Sequence, residues 1–207
     1  MFTFIPPAIV KTGKHQLSPN WIIYFPVISG IQNRTFALTI NSEIAQLIQN
    51  LIKQQTGEQY ANVQELYSWF ALKTNELGVL SLTINNYTYF RSAAHGLTVI
   101  KSLTFDTERS KKYTLAQLFK PGSNYVDRIS AIINAQIEAR EIPTLDPFTK
   151  IKPDQDFYIA DKSLVVYFQA YEFTPYVVGL PMFPISVFDL QDIINEDGPL
   201  AKMATNS

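Results

Sequence analysis

The 207-residue sequence contains no cysteine. This excludes disulfides, thiolate metal sites and a cysteine nucleophile together. It leaves the compartment open, because a cysteine-free chain suits the outside of a bacterium and also occurs among small cytosolic proteins. Histidine is nearly as scarce, with His15 and His95 far apart. A zinc hydrolase needs two or three imidazoles with a carboxylate at helical or hairpin spacing, and no such pair occurs. There is no GxSxG elbow for a nucleophilic serine, since Ser29 sits before Gly30 without the preceding glycine. There is also no GxGxxG or GxxxxGK[ST] cradle for a nucleotide, so no cofactor is expected.

Neither sign of charge dominates. Seventeen basic residues face eighteen acidic ones, a net charge of −1, so no nucleic-acid partner is expected and no anionic-lipid footprint is present. The densest basic cluster, Arg109, Lys111 and Lys112, follows Asp106, Thr107 and Glu108 and reads as a solvated hairpin turn. Long apolar runs are missing too. The most apolar window, Tyr176 to Phe188, is broken by Gly179, Pro181 and Pro184, so no membrane span is expected. The start, MFTFIPPAIVK, lacks a basic region and is interrupted by Pro6 and Pro7, which predicts no signal peptide. A cytosolic protein, or a soluble part whose export signal or anchor lies outside this sequence, fits both readings.

What is present is core material: 46% hydrophobic residues against 17% charged, enough for one compact unit with two lobes. Residues 3–29 read as one or two strands, with Trp21, Ile23 and Phe25 alternating against Ile22, Tyr24 and Pro26. The period then changes. Phe36, Ile40, Ile44, Leu47, Ile48 and Leu51 predict an amphipathic helix over 34–54, with Asn33 as N-cap and Gly57 past its end. Strands over 67–74, 78–90 and 95–105 follow, joined too closely for parallel crossovers, so an antiparallel meander is expected.

Thr114 and Gln117 suggest a capping box over TLAQLF, and Ser123 is placed to cap a second helix running to about Arg140. Residues 141–155, with three prolines, form a long connection, either a variable excursion or a partner-facing loop. A hairpin is predicted over 156–160 and 163–170, turning at Asp161 and Lys162. Ser186 and Asp189 suggest a box for a last helix through Ile194, ahead of a frayed tail from Asn195. The order predicts α+β, a largely antiparallel sheet packed by two long amphipathic helices and a short C-terminal one.

Asp154, Asp156 and Asp161 lack the glycine and closing glutamate of a calcium loop and read as exposed turn carboxylates. His95, in RSAAHG, has small neighbours that would admit a ligand or another backbone; a hydrogen bond to a backbone group or a tyrosine is the plainer reading. The densest aromatic stretch is YFQAYEFTPYVVG, 167–179. Strand alternation places Tyr167, Gln169 and Tyr171 on one face and Phe168 and Ala170 on the other, with Glu172 bracing the turn toward Gly179. Tyrosine can bury its ring while its hydroxyl needs a partner, which suits a covered sheet or a binding surface.

The pattern F-x-x-Y-E-x-x-P-Y-x-x-G, from Phe168 to Gly179, resembles the C-terminal signature of the bacterial RsiV-like domains, the DUF3298 and DUF4163 families. YFPVISGIQN (24–33), INSEI (40–44), LSLTINNYTYF (80–90), AHG (94–96), TFD (104–106), YTLAQLF (113–119) and FYIADKSLVVYF (157–168) agree in order, so the resemblance spans roughly 18–195. It implies a DUF4163-like part over about 1–90 and a DUF3298-like part over about 91–195. In such families these domains form the extracytoplasmic, lysozyme-sensing part of an anti-sigma factor or precede the catalytic domain of peptidoglycan deacetylases.

The expectation is therefore a non-enzymatic sensor of the bacterial envelope, extracytoplasmic rather than cytoplasmic, recognising a lysozyme-like protein or a peptidoglycan fragment. The expected contacts are Tyr87, Tyr89, His95, Tyr171, Glu172 and Tyr176. The alternatives are a cell-wall hydrolase with His95 and Glu172 as acid and base, and a small cytosolic inhibitor.

Overall fold

The computed structural model describes residues 5–205. Over these described residues the fold is α+β, with nine strands in two sheets, two long helices and a short C-terminal helix. Residues 3 and 4 of the expected first strand, and the last two residues of the expected frayed tail, lie outside the described residues.

Strands β1 (Ile9–Ser18) and β2 (Trp21–Ser29) form a hairpin, and α1 (Arg34–Thr56) crosses from β2 to β3 (Val63–Glu76). A helical crossover is what a parallel pair requires, and β2 runs parallel to β3 over Trp21–Ile23 and Leu66–Ser68. β3, β4 (Val79–Phe90) and β5 (Leu97–Asp106) form the expected antiparallel meander, and β6 (Lys111–Lys112) closes the six-stranded sheet. The second sheet consists of β7 (Phe157–Ala160), β8 (Ser163–Tyr167) and β9 (Met182–Ser186).

α1 starts where Asn33 accepts from the Phe36 N–H at 3.0 Å, and it ends at Gly57. No glycine or proline interrupts it, and Ile40, Ile44, Ile48 and Leu51 recur every three or four residues. That stripe is buried against Leu66, Leu80, Leu82, Ile84, Leu103 and Phe105 of the sheet. The neighbouring positions of β4 and β5 face the other way, and many are hydroxyls. Ser81 and Thr104 meet at 2.9 Å, and with Thr74 and Ser102 they receive the second sheet. Ser81 Oγ accepts from Ile159 N, Thr74 Oγ1 donates to Ile159 O and accepts from Asp161 N, and Ser102 donates to the Phe157 carbonyl. The outer edge of β7 thus meets side-chain hydroxyls instead of another strand, which satisfies groups that an open edge would leave unpaired.

Carboxamides close other edges in the same way. Asn41 bonds both the N–H and the C=O of Ile28 (2.8 and 2.9 Å), Asn75 those of Ala8 (2.9 and 2.8 Å), and Gln169 those of Ile100 (3.1 and 2.7 Å). Pro26, two residues before Ile28 on the same edge, has no N–H to offer, which accounts for β2 parting from β3.

The second core gathers α2 (Tyr125–Ala139) and α3 (Pro199–Met203) with the second sheet and with Leu115, Leu118 and Phe119. Several local expectations change here. Asn124, not Ser123, precedes α2, and Ser123 Oγ is buried without a hydrogen-bond partner. Of the box at Thr114 only the return half forms, Gln117 accepting from the Thr114 N–H at 3.0 Å. Ser186 does cap, accepting from the Phe188 N–H, but only a 3₁₀ turn over Val187–Leu190 follows.

The tail from Asn195 is not frayed over its described residues. Leu200 and Met203 enter the core, and Lys202 reaches Asp106 at 2.9 Å and Glu108 at 2.7 Å. Hence the 106–112 hairpin is not simply solvated, because the Asp106 side chain is 0% exposed. Burial opposes its ionisation, but hydrogen bonds from Lys202 and from the Arg109 and Glu108 N–H groups prevail and hold the carboxyl below its ordinary 3.8. The 141–155 connection is irregular as expected, yet it is anchored: Ile151 is buried, its N–H donating to Ser130 Oγ at 3.0 Å.

Candidate functional site

The site forms beyond the end of the second sheet, on the hydroxyl-bearing face of the first. Tyr87 and Tyr89 lie on that face, two and four positions past Asn85. The loop 91–96 turns back over them. Ser92 takes a left-handed φ of 65°, and Tyr89 donates from its hydroxyl to the Ala93 carbonyl at 3.1 Å. Gly96 rests on the Tyr87 ring so closely that no Cβ fits, which is the reason for glycine here. Partial burial, followed by the charge of Glu65, raises the Tyr87 phenol above its ordinary value.

The stretch 167–179 arrives from the second sheet. Only Tyr167 keeps the expected strand. β8 stops at Tyr167, and Tyr171 adopts φ 67°, so strand alternation fails from Gln169 onward. The cause is a turn in which the Gln169 N–H donates to Glu172 Oε2 at 2.9 Å and the Glu172 N–H to the Gln169 carbonyl at 3.1 Å. Glu172 therefore braces the 169–172 turn and not the one toward Gly179, although Gly179 does take the positive φ foreseen for it, 74°. Tyr167 is fully buried. Desolvation, with the Asp156 charge next, drives its phenol well above the ordinary value, against the opposing hydrogen bond it shares with Ser102.

Tyr171 and Tyr176 emerge on the surface beside His95. The His95 and Tyr176 rings stack at 4.0 Å and 21°, and Tyr176 stacks on Tyr171 at 5.5 Å and 25°. Tyr176 donates to the Gly96 carbonyl at 3.0 Å. His95 Nδ1 lies 3.1 Å from that same carbonyl, and its Nε2 lies 3.3 Å from the Tyr171 hydroxyl. A neutral imidazole with its proton on Nδ1 satisfies both contacts, accepting from Tyr171 at Nε2. The stack is fixed yet open: Tyr171 is 49% and Tyr176 41% exposed, and the adjacent Val177 reaches 86%.

A polar cleft of about 410 Å³ adjoins this stack along Tyr171. Lys101 reaches both Asp156 oxygens (2.9 and 2.7 Å), the Gln169 amide donates to Asp156 at 3.1 Å, and Lys152 pairs with Glu172 at 2.9 Å. The Glu172 contact raises the Lys152 ammonium above its ordinary value. Asp156 is therefore a paired, half-buried group, not an exposed turn carboxylate. Glu172 lines the cleft and His95 does not; the two do not hydrogen-bond each other. Among the described residues no three His, Asp or Glu side chains gather as a metal site requires.

Residues 116–187 match the family described as "Protein of unknown function (DUF3298)". The chain is also 30% identical over 191 residues to the anti-sigma-V factor RsiV of Bacillus subtilis (strain 168), covering 85% of this chain and 65% of that protein. Crystal structures of DUF3298 proteins from Bacteroides fragilis (TM-score 0.67, 15% identity, 96% of both chains) and Pseudomonas aeruginosa PAO1 (TM-score 0.69, 13% identity, 97% of both chains) share its fold. The chain thus spans just under two thirds of the curated relative it matches.

In this chain the aromatic stretch 167–179 supplies Tyr171 and Tyr176, and the loop before β5 supplies His95. Tyr67 and Trp69 were not anticipated. Tyr67 pairs directly across from Tyr87, and Trp69 across from Asn85, so both rings share the Tyr87 face. Their alternation was visible within 67–74. The partner strand and its register, which decide the face, were not.

Proposed function

We propose that this chain is a non-catalytic recognition module, the sensing part of a bacterial envelope receptor exposed outside the cytoplasm, and that it binds a protein of lysozyme type. The binding face consists of His95, Tyr171 and Tyr176, backed by Tyr87 and Tyr89, with Glu172 holding the turn that presents Tyr171. The observation that carries this reading is the three-ring stack, half-exposed and already locked by the Gly96 carbonyl. Rigid aromatic rings lose little entropy on binding and recur among the residues that dominate interface energies. The likeness to an anti-sigma factor supports the receptor setting. No hydrogen bond links His95 and Glu172, which leaves the acid–base reading without geometric support.

Calorimetric titration with a lysozyme and, separately, with soluble peptidoglycan fragments tests this. Saturable lysozyme binding, weakened on the order of 30-fold by Tyr176→Ala, is the expected result. No lysozyme binding, or binding indifferent to Tyr176→Ala, overturns it.

A further inference from the structure

We propose that the polar cleft beside Tyr171 is a saccharide site, taking a short neutral or N-acetylated oligosaccharide. Its volume of about 410 Å³ lies within the usual span of small-molecule sites, roughly 300–1,000 Å³. Its walls are built from ion pairs, and this determines the ligand class. Lys101 with Asp156 and Lys152 with Glu172 each place an ammonium donor beside a carboxylate acceptor, at 2.7–2.9 Å.

A bare anion finds each ammonium already matched by a carboxylate, with Asp154 adding a further negative charge to the lining. A metal ion would have to displace both lysines. A pair of vicinal hydroxyls suffers neither conflict. Each hydroxyl both donates and accepts, their oxygens stand about as far apart as the two ends of such a pair, and carboxylates and ammoniums keep bonding capacity beyond their mutual contact.

Part of the wall is also set before any ligand arrives. Gln169 is held by both polar groups of Ile100, and Glu172 by the Gln169 N–H. Gln169 and Glu172 thus have little side-chain freedom left to lose on binding. Tyr171, kept at φ 67°, lines the cleft and presents aromatic surface on which the apolar face of a sugar ring can pack. A turn holding a tyrosine in this costly backbone region at the rim of a cleft is the kind of strain found at binding sites.

This inference does not depend on the lysozyme reading. A chain that binds lysozyme and no sugar loses only the cleft, and one that binds sugar and no lysozyme loses only the proposed function. The test is an amide-resonance NMR titration of the full chain with chitotriose and with cellotriose, with inorganic phosphate as the anion control. Saturable shifts confined to residues 152–156 and 168–172 with at least one trisaccharide are expected, with phosphate silent. Lys152→Met, at a side chain 69% exposed, should weaken binding at least tenfold with an unchanged melting temperature. Absence of shifts with both sugars, indifference to Lys152→Met, or stronger shifts with phosphate overturns the proposal.

Discussion

On its helix side the six-stranded sheet meets α1 mainly through aliphatic side chains, Ile40, Ile44, Ile48 and Leu51 against Leu80, Leu82, Ile84 and Leu103. On the opposite side Thr74, Ser81 and Ser102 hold the edge of β7 through hydrogen bonds to its backbone. The first kind of contact is strong and indifferent to direction, since apolar burial scales with area. The second contributes less per group, because each bond replaces one to water, but it fixes where the second sheet sits. Because that docking covers only part of the face, the remainder is left open, and the tyrosines gather there.

The comparison ranks the consequences of substitution. Leu82→Ala, at a fully buried position on the helix side, should cost about 2–5 kcal/mol in chemical denaturation. Asp106→Ala follows at about 3 kcal/mol, since it leaves Lys202 and two N–H groups without their shared acceptor. Asp106 also sets an acid limit. Its folded pKa lies below 3.8, so its contribution is complete above that value and is lost as pH falls through the lower, folded one. Stability measured against pH should therefore drop less steeply in that acid range for Asp106→Asn than for the parent. Ser81→Ala should cost about 1–3 kcal/mol, the cost of an unsatisfied Ile159 N–H. A loss as large as that of Leu82→Ala would break the distinction between the two faces. Tyr176→Ala should cost least, about 0.5–1 kcal/mol, because its ring is already partly in water.

The helix-side half of this arrangement was legible in the sequence. Periodicity and the Asn33 cap give α1, and alternation with short connections gives the β3–β5 meander, because both signals are local. The hydroxyl side was not legible. Ser81, Thr74 and Ser102 look like ordinary strand residues until Ile159, Asp161 and Phe157, far along the chain, are brought to them. The C-terminal helix was misplaced for a similar reason: Ser186 and Asp189 carry a local signal, whereas Leu200, Lys202 and Met203 are held by partners as distant as Asp106.

At the candidate site, the aromatic stretch and the small-residue loop point to Tyr171, Tyr176 and His95, and the fold brings those three together. The alternation argument misassigned Tyr171 because a strand period cannot anticipate a residue at positive φ. Glu172, foreseen as a contact, is turned toward Lys152 and the Gln169 N–H, a role set by a turn that alternation does not reveal.

Hydrogen exchange of the chain with and without a saturating lysozyme tests the central claim most directly, because it reads both faces of the sheet at once. The account predicts added protection in residues 91–98 and 169–179 and none along 34–56. Protection centred on α1, or none in either loop, would contradict it.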